Sequence, residues 1–250
     1  MKFLSFFLML AVATTLFYAC GGSSTTDTAT TEPADTVVTA TALTPEQLWA
    51  GETPKAVIAE AATAAAPPEG STIYTVDAAA STLYWKGNKV AYNHYGTLAI
   101  KGGSFAVQGG QLAAGTVEID MNSIVDIDIT DPNDNAKLVG HLKSDDFFST
   151  AAHPTASLVL TGVSTDTAGQ QMVSGNLTIK GITHQVTFPA TIEMTADGLS
   201  AKARFSFDRS KWDVRFGSGS FFEDLGDKLI LDDIELSLDL KATPAATASL

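Results

Sequence analysis

The chain has 250 residues, 28 acidic and 15 basic, giving a formal net charge of −13. That balance excludes binding to a nucleic-acid backbone, which needs a basic surface, and argues against polybasic docking to anionic lipid. A single cysteine excludes an internal disulfide framework and a two-cysteine metal site, while 45% hydrophobic residues suffice for one core of ordinary size.

Met1 and Lys2 carry the positive start of a targeting segment. Phe3 to Tyr18 is then apolar or small throughout, 16 residues, which is short for a membrane span. Ala19-Cys20 followed by Gly21-Gly22-Ser23-Ser24 is similar to a bacterial lipoprotein processing site. The expectation is a signal peptide over residues 1–19 and a lipidated Cys20 at the mature N-terminus. Phe17 and Tyr18 depart from the usual Leu and small residue, so a plain secretory signal or an uncleaved anchor stays open. Two or three acyl chains make a durable membrane anchor. The expected location is the bacterial cell envelope, lipid-anchored in the outer membrane, with neither side preferred.

Between residues 21 and 70, Ala, Thr and Pro make up 28 of 50 positions, with one Lys against seven acids. Such a stretch buries little and predicts a flexible tether over residues 20–70. Within it, Thr44-Pro45-Glu46-Gln47 carries an N-cap, a first-turn proline and a capping-box Gln. Val57 to Ala66 has helical composition too. The spacing predicts one or two short helices, either transient or packed on the domain over a cavity mouth.

From Ser71 the period becomes two. Ile73 and Val76, then Leu83 and Trp85, open the series. Leu98 and Ile100 face Phe105 and Val107 across Lys101-Gly102-Gly103-Ser104, which reads as a hairpin. Gly109-Gly110 marks a further turn. Val117, Ile119 and Met121 alternate with polar residues; Leu158 and Leu160, then Leu177 and Ile179, follow. Val186 to Met194 alternates, turns at Asp197-Gly198, and continues in Ala201, Ala203, Phe205 and Phe207. Ile234, Leu236, Leu238 and Leu240 alternate with Asp233, Glu235, Ser237 and Asp239. Strict alternation means one dry and one wet face. Many such strands with short turns predict an antiparallel sandwich or barrel. The apolar parity switches near Arg209, from Phe205 and Phe207 to Trp212, Val214 and Phe216, so a bulge or tight bend is expected there. Asn133 to Lys143 instead carries Leu138, Val139 and Leu142 at helical spacing. It predicts one helix beside the sheet or plugging one end.

Catalytic signals are missing. His94, His141, His153 and His184 fall at no metal-ligand spacing, so no metal site is expected. The acids Asp126, Asp128, Asp131 and Asp134 partly match a calcium loop, but Asp131 replaces the glycine and Lys137 the glutamate. They read as a solvated loop capping the following helix. Gly217-Ser218-Gly219-Ser220 lacks the nucleophile-elbow spacing, and no nucleotide fingerprint occurs. Neither enzymatic activity nor a cofactor is expected. Arg209, Lys211 and Arg215 share one face of their segment and could meet an anionic head group at a mouth. The aromatic-rich interior could be filled by its own side chains or left open for an apolar ligand.

The order of motifs resembles the YceI-like family of bacterial envelope proteins. Tyr74-x-x-Asp77 with Ser81 and Trp85 is similar to its opening, and His94-x-Gly96 with Gly103-x-Phe105 to its second block. Ile119-Asp120-Met121-x-Ser123-Ile124 resembles its characteristic strand. Leu142-Lys143-Ser144-x-Asp146-Phe147-Phe148 with His153-Pro154 resembles its helix-to-strand segment. Gly175 to Gly181 with Thr183 is the most specific match, and Phe207-x-Arg209-Ser210-x-Trp212 and Asp232-Asp233-Ile234-x-Leu236 complete the series. The resemblance implies a lipocalin-like, eight-stranded antiparallel barrel over residues 71–242, with residues 243–250 a flexible tail. It implies a polyisoprenoid lipid, an isoprenoid quinone or a polyprenyl phosphate, held non-covalently in the lumen as carried or stored cargo, and no catalytic residues. It also allows a homodimer, and Trp49 in the tether could serve a partner; the alternative is a stress-related interaction protein with a self-filled barrel. Combined with the apolar parity, it nominates Trp85, Phe105, Ile119, Phe147, Phe188, Phe205, Trp212 and Phe216 as lumen residues.

Overall fold

The structure is a computed structural model that describes residues 44–195 and 197–245. The expected signal peptide, Cys20, the expected tether as far as residue 43 and residues 246–250 lie outside the described residues.

Ten strands and two α-helices follow one another as α1 (Pro45–Leu48), β1 (Val57–Glu60), β2 (Thr72–Val76), β3 (Thr82–Lys89), β4 (Asn93–Gln108), β5 (Gln111–Asp126), α2 (Pro132–Lys143), β6 (Thr155–Thr165), β7 (Gln171–Ile179), β8 (Ile182–Met194), β9 (Leu199–Asp208) and β10 (Ile230–Pro244). From β3 to β10 each strand pairs antiparallel with the next. β10 then closes on β2 and β3. Those two strands share one stave: β2 covers the 104–107 end of β4, and β3 its 93–98 end. The result is a closed, up-and-down barrel of eight staves. Closure removes the unpaired edges that an open sheet of this length would expose.

Two bends in the wall depart from simple alternation. The hairpin expected at 101–104 is absent. β4 runs straight through with a register shift, and Gly103 lies so close to β5 that a Cβ there would stand 2.1 Å from the Thr116 carbonyl oxygen. The paired glycines mark strand contact instead of reversal. The second bend is in β5, where pairing jumps from Ala99–Asp120 to Thr97–Val125. The Ser123 hydroxyl repairs this bulge, donating to the Asp120 carbonyl (2.5 Å) and accepting from the Ala99 N–H (2.7 Å). Three extra residues on one strand reverse its inward parity. Met121 therefore faces in, and so do Ile124 and Asp126, while Val125 and Ile127 turn outward.

The N-terminal segment is part of the fold well before residue 71. The capping box forms as its residues predict, with Thr44 N–H donating to Gln47 (2.9 Å) and Gln47 N–H to the Thr44 hydroxyl (3.3 Å). Val57–Glu60, read as helical from composition, is a strand paired with residues 184–187 of β8. Below Ala190–Ala203, β8 and β9 no longer pair with each other. Residues 54–56 hydrogen-bond to Ser206 of β9 on one side of this seam, and β1 bonds β8 on the other. The strap thus occupies the splay between β8 and β9. A β-branched run beside a waiting edge outweighs the weak helical preference of its neighbours. At the other terminus, β10 continues through Pro244 and pairs with Tyr74, beyond the expected end at residue 242.

α2 begins where the spacing predicts. Asp131 caps it by accepting from Asn133 N–H (2.9 Å) and Asp134 N–H (3.0 Å). No helix among the described residues is long and apolar enough to cross a membrane.

Candidate functional site

The barrel interior divides into a packed end and an open end. Tyr74, Ile100, Phe105, Val107, Leu199 and Leu240 fill the first. Phe188 and Phe205 stack beside it with ring centroids 4.0 Å apart. At the other end a cavity of about 260 Å³ remains. Leu83 is its floor, Leu98, Ile119, Met121 and Leu236 its walls, and Leu138 and Leu142 of α2 its cover. α2 is therefore an end piece, and its apolar stripe faces the lumen.

Of the nominated lumen residues, Trp85, Ile119, Phe147 and Phe216 line this cavity. The Trp85 indole N–H donates to the Val125 carbonyl (3.1 Å), which fixes the ring against the wall. Phe105, Phe188, Phe205 and Trp212 do not line it. They face inward as their parity requires, but into packed regions. Trp212 is fully buried under a short 3-10 turn (Arg209–Trp212), donates to the Leu177 carbonyl (3.0 Å) and meets Phe207 edge-on. The turn itself is the bend signalled by the parity switch.

The mouth holds polar groups that the sequence pattern did not gather. Arg209 is 1% exposed. It donates to the backbone carbonyls of Val214 (2.9 Å), Phe216 (3.0 Å), Ile230 (3.2 Å) and Leu231 (3.3 Å), and so shapes the loop before β10. Burial pulls its pKa down, opposed by the charges of Asp232 and Asp208. Lys211 and Arg215 are exposed, so the three cations share no face at the mouth. His141 stacks edge-on with Phe147 and Phe216 and pairs with Asp146 (2.9 Å). Tyr92 and Phe216 border the opening and are half exposed; Val90, Phe221 and Phe222 lie exposed on the same two turns.

His94 also lines the mouth. Its Nδ1 pairs with Asp128 (2.9 Å), and Asp128 accepts from the Tyr95 N–H (2.8 Å). Asp126 lies beside them, accepting through one oxygen from Ile129 N–H (2.9 Å) and Asn135 (3.2 Å). Burial and the neighbouring Asp128 carboxyl push the Asp126 pKa up. Burial would also raise Asp128, but Asp126, the Tyr95 N–H and His94 together carry it below its ordinary value. The acidic run is thus split: Asp131 caps the helix as expected, whereas Asp126 is buried. Gly96 makes this meeting feasible. A Cβ there would fall 1.8 Å from the Val125 carbonyl oxygen, so only glycine lets β4 approach β5 next to His94.

Outside the barrel, the strap is fastened by a second polar cluster. Trp49 lies between Lys86 (5.4 Å) and Arg204 (5.8 Å). Arg204 donates to the carbonyls of Trp49, Ala50 and Gly51 and to Thr53. Glu235 accepts from Thr53, Lys86 and Asn88. Asn176 exchanges two hydrogen bonds with the backbone of Ala62. Trp49 is thereby committed to its own barrel. The segment covers the wall and contributes nothing to the cavity lining.

An apolar chamber thus stands at one end of a closed antiparallel barrel. The model of the YceI-like domain matches residues 74–242, and the chain belongs to that family. A UPF0312 protein of Shewanella denitrificans is 34% identical over 88 residues, 35% of this chain and 44% of that protein. The match spans less than half the length of that curated relative. BcnA of Burkholderia cenocepacia has the same fold, with a TM-score of 0.52 at 20% identity over 67% of this chain and 99% of that one. So does a polyisoprenoid binding domain from Saccharophagus degradans implicated in plant cell wall breakdown, with a TM-score of 0.50 at 15% identity over 69% of this chain and 98% of that one.

Proposed function

We propose that this barrel holds an isoprenoid-type lipid, with hydrocarbon in the cavity and the head at the mouth, and that Cys20 anchors the protein in the cell envelope. The observation that carries this reading is the chamber itself. Its walls are mostly Leu, Ile, Met, Trp and Phe, with Lys89, Tyr92, His94, His141 and Arg209 as the polar residues among them. Side chains fill most small barrels of this strand number, so a retained apolar space suits a small apolar guest. The Saccharophagus domain, described as polyisoprenoid binding, supports the same guest class.

Energetics favour exchange over permanent capture. Each CH₂ moved from water into the lumen would release ~0.8 kcal/mol, and a cavity of about 260 Å³ takes only one part of a long chain. Such a lipid starts in a membrane, however, where it is already dry. The barrel gains little relative to that origin, which suits a carrier or a store.

Organic extraction of the purified protein followed by mass spectrometry tests the reading. A stoichiometric isoprenoid is expected. Ile119→Trp fills the chamber and should abolish it, while Phe188→Leu, off the cavity wall, should retain it. Equal lipid in the two variants, or none in the wild type, would remove the cargo function.

A further inference from the structure

The geometry points to a divalent transition-metal site at the cavity mouth, formed by His94, Asp126 and Asp128. One imidazole nitrogen and two carboxylate oxygens, one from each residue, all lie within 4.8 Å of one another. Ligands bound about 2.0–2.2 Å from a common ion stand a little closer than this, within reach of small side-chain rotations. Mixed nitrogen and oxygen donors suit Zn²⁺ or Mn²⁺ better than a purely oxygen-seeking ion such as Ca²⁺.

An ion pair alone accounts for His94 and Asp128. It does not account for Asp126. That residue is 5% exposed, and its second carboxylate oxygen is buried without a hydrogen-bond partner. A buried carboxylate that faces another carboxylate wants a cation or a proton between them. Its first oxygen is already fixed by Ile129 and Asn135, so the free one is held in place. Asn135 also donates to the Asp126 carbonyl (2.9 Å), which ties the start of α2 to the same corner. The bulge in β5 and the close approach at Gly96 bring the three ligands together from the beginning of β4, the end of β5 and the bend that follows it. Three protein ligands leave coordination positions open. His94 itself lies on the cavity wall, which puts the site beside the mouth. Metal binding here requires no lipid in the lumen, so its failure would leave the cargo reading untouched.

Calorimetric titration of the chelator-treated full chain with Zn²⁺, and separately with Mn²⁺, should give one equivalent bound. His94→Gln and Asp128→Asn should each weaken Zn²⁺ binding at least tenfold, with circular dichroism spectra unchanged. A second measurement needs no variant. Mn²⁺ added to the wild-type protein should broaden the amide signals of residues 93–96 and 125–129 first. Absence of binding, undiminished binding in both variants, or broadening centred on other acidic residues would overturn the site and leave a proton between the two carboxylates.

Discussion

Glu235 joins the barrel wall to the strap, and its ionisation is coupled to folding. Burial would raise its pKa, but hydrogen bonds from Lys86, Thr53 and Asn88, with the Lys86 charge, bring it below its ordinary value of 4.5. A depressed carboxylate contributes stability that is complete above the unfolded pKa and is lost as pH falls through the folded one. Chemical denaturation of the wild type at pH 7 and at decreasing pH below about 4.5 should therefore show a loss that Glu235→Gln lacks. At pH 7 the same substitution should cost about 2 kcal/mol, the scale of hydrogen bonds to a charged group. An identical acid profile for the two proteins would show that Glu235 titrates alike folded and unfolded. Residue identity was legible in the sequence where it followed parity. Trp85 and Ile119 face inward from their strands and also reach the cavity, whereas Phe147 and Phe216 reach it from turns. Parity cannot tell a lining residue from a packed one, because both are simply inward. Phe105, Phe188, Phe205 and Trp212 share that direction, and only the barrel's cross-section decides what lies in front of them.

At the scale of elements, regular strands and the single long helix were legible because each keeps one period throughout. Irregularities were harder. Gly102-Gly103 has the composition of a turn, yet it serves a strand that must touch its neighbour. The β5 bulge hid Asp126, since Val125 and Ile127 are the apolar residues and nonetheless point outward. The one signal available was Ile124, an apolar even position after the odd Val117, Ile119 and Met121. The strap was read as tether because Ala, Thr and Pro dominate its surroundings. Its anchoring comes from partners more than a hundred residues away, among them Asn176, Arg204 and Glu235. Removing residues 44–60 should reopen the seam between β8 and β9. Loss of about 3 kcal/mol would lower Tm by about 6–12 °C for a domain of this size. A truncated protein starting at residue 61 with an unchanged melting curve would show that the wall closes without the strap.

For the whole molecule, Cys20→Ser should move the protein from the membrane fraction to the soluble fraction, which quantitative fractionation of cells would measure. Retention on the membrane after signal removal would rule out the acyl anchor. The asymmetry of the barrel has its own consequence. With Phe105, Leu199 and Leu240 blocking the far end, the chamber is a cul-de-sac. Under the proposed cargo role a guest could not pass through; it would have to back out along the route it entered, tail first in and tail last out. Loading and unloading would then compete for one doorway, and that doorway would have to be turned toward whichever bilayer gives or receives.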